Sequence, residues 1–233
     1  AMPIMLAWKL HQAGVLSDQE LTDWYGKMLK PAADFLVDGG LAKILWNDTQ
    51  ITPPATQQER WEEQNGFSPS TTAAVVAGLV TAADIAKKAG DTKNAERYLA
   101  TAKTYNSEIE STMFTTQGNL KSKNSDGEYF IRIGQDKDPN SSTTLNANNG
   151  REGFDKKQIL DGGFLELVRY GVRDALAPSI VKTLPEYDDE TLVDNLQVRY
   201  TFNFADGSGS FPGYRRYGND GYGEDEVTGN NYA

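Results

Sequence analysis

The stretch from Ser68 to Lys88 constrains the fold more than any other. Ser68-Pro69 gives an N-cap followed by proline at the first helical position, where its missing N–H is no loss. Behind it Ala73, Ala74, Val76, Ala77, Leu79, Val80, Ala83 and Ile85 are apolar around most of a helix's girth, which predicts a helix inside the molecule. Lys87 and Lys88 suit its C-terminal dipole and Gly90 its end. Asp91 or Thr92 then opens a second helix with Ala95, Leu99, Ala102, Tyr105, Ile109 and Met113 on one stripe and polar residues elsewhere, so this one is predicted outside. An inner small-residue helix followed at once by an amphipathic outer one is the repeating unit of an α/α toroid.

Other segments fit the same all-α plan. Met2, Met5, Leu6 and Leu10 lie at helical spacing before Gly14, with His11 near the helix end as an exposed or capping residue. Ser17 or Asp18 caps a helix through Leu21, Trp24, Tyr25, Met28 and Leu29; Pro31 kinks or divides it before Ala32, Phe35 and Leu36, and Gly39-Gly40 ends it. Asp161 caps a helix predicted over Gly162 to Val172, and Ala175 to Pro178 begins a short one through Ile180 and Val181. Tyr129, Ile131 and Ile133 alternate with Phe130 and Arg132 after the turn signal Ser125-Asp126-Gly127, which predicts a small β-hairpin inserted between helices. Asp136 to Asn149 reads as a polar loop, and the aromatic-rich tail from Arg199 to Asp225 as ordered loop structure packed on something.

Composition excludes several functions. The 233 residues suffice for one substantial core. With 33 acidic and 23 basic side chains and no basic cluster longer than a pair, the chain would repel a phosphate backbone, so nucleic acid is not a partner. Absence of cysteine removes disulfides, thiolate metal sites and a cysteine nucleophile. No apolar run approaches the roughly 18 residues of a membrane span, and the opening residues lack a basic leader. The single histidine has no G-x-S-x-G elbow beside it, and no phosphate-cradling glycine loop implies a nucleotide cofactor.

Between Leu41 and Phe67 helical periodicity vanishes, and a loop this long inside a compact domain is usually functional. It contains Trp46, Pro53-Pro54 and the polar run Gln57 to Gly66. Glu62 and Glu63 are adjacent acids flanked by Trp61 and Arg60, with Glu59 nearby. Mutual repulsion beside a partly apolar wall is the arrangement that keeps one carboxyl protonated for acid catalysis. Two such carboxyl groups with aromatic and polar neighbours are what glycosidic cleavage needs. Read from composition alone, paired glutamates equally describe a solvated polar loop.

The wider string is more specific. Pro53-Pro54-Ala55-Thr56-Gln57-Gln58-Glu59-Arg60-Trp61-Glu62-Glu63-Gln64-Asn65-Gly66-Phe67-Ser68-Pro69-Ser70-Thr71 closely resembles the Q-E-R-W-E-E-x-x-G-[YF]-S-P-S-T segment of bacterial members of glycoside hydrolase family 15, the glucoamylases and glucodextranases. Further resemblances follow in the family's order: Ala1 to Trp8, Phe164 to Val172, and Arg216-Tyr217-Gly218-Asn219-Asp220-Gly221-Tyr222-Gly223-Glu224. The resemblance implies an (α/α)6 toroid, here an incomplete portion, and inverting hydrolysis of terminal α-1,4 or α-1,6 glucosidic bonds of starch- or dextran-like glucans. It makes Glu62 the general acid and Glu63 a ligand of sugar hydroxyls. Trp61 would line the pocket with Arg60 beside it, and Arg216 and Tyr217 would contact the terminal glucose; arginine's rigid fork suits that contact.

The resemblance also sets expectations beyond these residues. No W-P-R-D segment precedes Ala1 and no T-G-E-R-G segment, which carries the general base, follows Glu224. Residues 1–233 are therefore expected to be a partial catalytic domain, whose partners are an α-glucan and the remaining segments of the same domain. A secreted or periplasmic setting is implied, with no membrane contact. Alternatives are a glucan-binding fragment without catalysis and a trehalase-like toroid hydrolase. No cofactor is expected. Asp136-x-Asp138-x-Asn140 opens like a calcium loop, but Ser141 replaces the required glycine and Ala147 the closing glutamate. Asp220, Glu224, Asp225 and Glu226 offer calcium only weak support and read better as an ordinary acidic loop.

Overall fold

The computed structural model of the protein describes residues 1–41, 43, 49–146, 151–193 and 195–222. Helix α4 (Pro69–Lys88) is its axis, with 12 of its 20 residues buried, among them Leu79, Ala82, Ala83 and Ile85. Its length and apolarity would let it cross a bilayer, which corrects the expectation that no stretch approaches that size. Yet 67% of that window is buried inside the fold, so it is a core helix. Helix α5 (Thr92–Ser107) runs along α4, and α1 (Met2–Gln12), α2 (Asp18–Trp24) and α3 (Lys30–Asp38) pack against it too. Their shared core contains Ile4, Ala7, Leu21, Leu29, Ala33, Leu79, Ile85 and Tyr98.

Local signals explain the ends. Ser17 accepts the Glu20 N–H while the Glu20 carboxylate accepts the Ser17 N–H, a complete capping box that starts α2. Between α2 and α3 the chain takes a π-helical turn, Tyr25–Leu29, which brings Pro31 to the first turn of α3, so the rod is divided there as the proline predicted. Gly39 ends α3 at φ 67°. Asp91 caps α5 by accepting the Asn94 N–H at 3.2 Å.

Four helices depart from expectation. On α1 the buried residues are Ile4 and Ala7, while Met2 and Leu6 are exposed. Gly78 on α4 allows the chain's start to approach closely, because a Cβ there would come within 2.9 Å of the Ala1 Cβ. On α5 Leu99 is exposed and Tyr98 is inside, its hydroxyl donating to Asp34 at 2.8 Å, so the buried stripe is Ala95, Tyr98 and Ala102. This helix stops at Ser107, and Ile109 and Met113 belong to a separate turn, α6 (Ile109–Met113). The helix after Asp161 is shorter than predicted: a 3-10 turn, Gly162–Phe164, leads into α7 (Leu165–Arg169). The last, α8 (Pro178–Tyr187), outlasts its prediction by running through Pro185.

Among the described residues four two-stranded antiparallel pairs are set among the helices: β1 (Gly40–Leu41) with β2 (Gln50–Ile51), β3 (Phe114–Thr115) with β4 (Tyr129–Phe130), β5 (Thr144–Leu145) with β6 (Phe154–Asp155), and β7 (Arg199–Phe204) with β8 (Gly209–Tyr214). The predicted hairpin exists as β3–β4, but Tyr129 to Ile133 are buried throughout rather than on alternate faces. Trp46, most of Leu41 to Thr49, and Ala147 to Asn149 of the polar loop lie outside the described residues. In β7–β8 Phe202 stands opposite Phe211, and residues opposite one another share a face. On that face Phe202, Phe204 and Phe211 are open, contrary to the expectation of packed rings, Phe204 being 53% exposed, while Tyr200 is half-buried with the Arg215 guanidinium 5.2 Å from its ring centre. The other face is the one tied down, by Arg199 and Thr201 on Glu190 and by Tyr214 stacked on Tyr187 at 5.1 Å.

Candidate active site

Four of the predicted site residues, Arg60, Trp61, Glu62 and Glu63, lie in a short loop entering α4. Glu59 N–H donates to the Gln64 carbonyl at 2.9 Å and Glu62 N–H to the Glu59 carbonyl at 2.8 Å, so residues 59–64 form a closed loop with Glu62 on its turn. Glu62 has φ 60°, a left-handed conformation uncommon for a residue with a side chain and maintained only where surroundings enforce it. Below the loop, Gly66 lies so close to Gly134 that a Cβ would meet the Gly134 oxygen at 2.3 Å. Thr56 pairs with Gly66 and Phe67 with Gly134, which pins the loop's exit to the segment after β4.

From the other end of the chain, Arg215 to Tyr222 meets this loop. Arg216 Nη2 donates to Glu63 Oε1 at 2.8 Å, and the Tyr217 hydroxyl donates to Glu63 Oε2. The same guanidinium reaches Asp220 twice, from Nε at 2.6 Å and Nη2 at 2.8 Å, and lies 4.4 Å from the Tyr222 ring centre and 5.4 Å from that of Trp61. Burial opposes its charge, but the Asp220 and Glu63 carboxylates hold the Arg216 guanidinium above its ordinary pKa. Burial, then the bond to Glu63, pushes the Tyr217 hydroxyl up. Arg60 stacks on Trp61 at 4.7 Å and faces Glu166 at 3.6 Å. The structure thus brings Arg60, Trp61, Glu63, Arg216 and Tyr217 together. Glu62 sits in the same loop with an exposed side chain, so no described residue encloses its carboxyl.

Three buried groups were not recognised as part of this site. Asp161, read only as a cap, does cap through Oδ1 to the Gly163 N–H at 2.7 Å, but its Oδ2 also accepts the Trp61 indole N–H at 3.2 Å. Glu59, expected merely nearby, is 3% exposed and pairs with Arg132 at 2.5 Å. Burial pushes both carboxyls above their ordinary values, with Arg132 the main opposing influence on each. Arg132 itself is fully buried. The signal for it was a lone charge within the apolar run Tyr129 to Ile133, which a strand alternation reads as outward-facing.

Among the described residues no group of three or more histidine, aspartate or glutamate side chains is arranged to hold a metal ion. Residues 224–226 of the weakly supported calcium cluster lie outside the described residues, and Asp220 is engaged with Arg216. The loop opened by Asp136 carries an internal cation of its own. Lys156 Nζ lies 2.6 Å from Asp136 Oδ1, 2.6 Å from the Asp138 carbonyl and 2.7 Å from Ser141 Oγ. Although burial works the other way, the hydrogen bonds that Asp136 accepts, first from Lys156, then from Ser141, the Asp138 N–H and Thr143, lower its carboxyl to about 2.

Inner and outer helices, joined by long loops that gather carboxylates, arginines and rings at one place, define a portion of an α/α-toroid protein with its site on the inter-helix loops. The chain belongs to the family described as Glycosyl hydrolases family 15, whose pattern matches residues 1–233. It is 36% identical over 228 residues to a glucoamylase of Clostridium sp. (strain G0005), covering 98% of this chain and 27% of that protein. It superposes on a bacterial glucoamylase solved in complex with acarbose with a TM-score of 0.76 and 34% identity, over 99% of this chain and 28% of that one. The chain therefore spans about a quarter of the length of these relatives, and its architecture is a portion of their (α/α)6 toroid.

Proposed function

We propose that the polypeptide carrying this chain hydrolyses terminal α-glucosidic bonds of α-glucans with inversion, with Glu62 as general acid. In this reading Glu62 gives its proton to the leaving oxygen while a carboxylate supplied by the rest of the polypeptide directs water from the opposite face. About 6.5–9.5 Å between the two carboxyl groups leaves room for that water. Arg216, Tyr217 and Glu63 grip the terminal sugar's hydroxyls, and Trp61 forms an apolar wall with its indole held by Asp161. The supporting observation is the convergence of Trp61, Glu63, Arg216 and Tyr217 from sequence positions some 150 residues apart, in a chain similar to a glucoamylase that binds acarbose.

Glu62 lacks an enclosing wall among the described residues, and in this reading the bound sugar and the rest of the polypeptide complete its surroundings. Glu62→Gln in the full polypeptide removes that proton with little change in size. β-Glucose release from maltose and isomaltose should fall at least about 100-fold, with Tm unchanged. Retained release would remove Glu62 from the role. If the unaltered polypeptide binds acarbose but releases no glucose from maltose, isomaltose or trehalose, the glucan-binding alternative stands instead; release from trehalose alone favours the trehalase-like one.

A further inference from the structure

We infer that Arg132 is a positioning residue for this site: its buried guanidinium holds both feet of the loop that presents Glu62 and Glu63 and seats that loop against Tyr217. The inference rests on the reading of Glu62 as the acid, but its evidence is separate. Nη2 donates to Glu59 Oε1 at 2.5 Å, at the loop's first residue, and Nη1 donates to Gln64 Oε1, at its last. The guanidinium lies 3.5 Å from the Tyr217 ring centre, and Nη2 is 3.7 Å from Glu63 Oε2. Its own backbone N–H donates to the Ile159 carbonyl at 2.9 Å, two residues before Asp161. The side chain therefore joins the acid-bearing loop to the Arg216-Tyr217 segment, while the backbone of the same residue ties them to the stretch leading to Asp161, the partner of Trp61.

A charge buried this deeply is poor as a source of stability, since its desolvation offsets most of the attraction and a hydrocarbon of equal size would fill the space. What only arginine supplies is a rigid planar fork that meets two acceptors in fixed directions while its face lies on a ring. Glu62, at φ 60°, needs such enforcement, because a left-handed turn carrying a side chain relaxes when its ends are released. Gln64 strengthens the hold, its amide nitrogen donating to the Asn146 carbonyl while its oxygen accepts from Arg132.

The test uses the full polypeptide with Arg132→Lys and Arg132→Met, and measures kcat and KM for maltose per folded molecule, well below each variant's Tm. Displacing the acid by a fraction of an ångström to an ångström should lower kcat about tenfold to a hundredfold, more than it raises KM. Lysine should recover part of the loss, since an ammonium keeps Glu59 company but cannot span to Gln64. Lys156→Met, which removes a buried cation that has no contact with the site, should lower Tm and leave kcat per folded molecule unchanged. Should Arg132→Met fail to fold, Gln64→Met carries the same readout with a smaller fall in kcat. Unchanged kcat per folded molecule in Arg132→Lys and Gln64→Met overturns the inference. If Glu62→Gln is inactive while the Arg132 variants turn over normally, the positioning role alone is lost; an active Glu62→Gln removes instead the reading on which it rests.

Discussion

The helical half of the molecule and the loop-built half are held by different physics. Around α4 the interior is largely hydrocarbon: Ile4, Leu21, Leu29, Leu79, Ile85 and the methyls of seven alanines, with a few satisfied polar groups such as the Tyr98 hydroxyl on Asp34. In the loop-built half the interior is charged. Glu59, Arg132, Lys156, Asp161 and Asp220 are all buried there, each met by oppositely charged groups or directed hydrogen bonds. A hydrocarbon core stabilises without specifying directions. A buried ionic network stabilises weakly but fixes where each atom points, and the proposed site, whose work would be to aim a proton and grip hydroxyls, lies in the second half.

The sharpest way to break this contrast is a cavity in the first half. Leu79→Ala should destabilise by about 2–5 kcal/mol, by chemical denaturation, with a cost that hardly varies between acid and neutral pH because no charge is involved. Lys156→Met should cost about 1–3 kcal/mol at neutral pH through its lost hydrogen bonds, and here pH matters. Asp136 is depressed to about 2 in the folded chain, below its unfolded value, so its contribution is present above the unfolded pKa and is lost as pH falls through about 2. The gap between Lys156→Met and wild type should therefore narrow on acidification from about pH 4 towards pH 2. A constant gap would mean that Lys156 acts by packing alone.

Glu186 offers a smaller effect of opposite sign. Burial raises its carboxyl, helped by Asp126 and Asp189 and opposed by Ser125. A carboxyl raised on folding carries a penalty that is full above its folded pKa and fades as pH falls towards its unfolded value. Glu186→Gln should thus raise Tm modestly at pH 7, an advantage that shrinks on acidification. The smallest change is expected from Ser17→Ala, about 1 kcal/mol from one cap, with no effect on any sugar assay.

Legibility in the sequence follows the same division. The inner and outer helices, the Ser17 and Asp91 caps and the Gly39 stop were readable, because helical periodicity and capping act over a few residues. Leu6 and Leu99 were assigned to the wrong side, since which part of an apolar stripe is buried depends on partners distant in sequence, such as Asp34 receiving the Tyr98 hydroxyl. In the loops, the string around Glu62 and the Arg216-Tyr217 pair were readable only through resemblance. Arg132 and Asp161 were invisible as site residues, for their partners lie tens of residues away and a lone charge in a strand reads as surface.

The most direct test of the whole account is the structure of the full polypeptide with acarbose bound. The account places a Glu62 carboxyl oxygen about 2.6–3.2 Å from the atom bridging the first two rings, with Glu63, Arg216 and Tyr217 on the terminal ring. Acarbose seated away from the loop of residues 59–64, or Glu62 turned from the bridging atom with another carboxyl in its place, would contradict it.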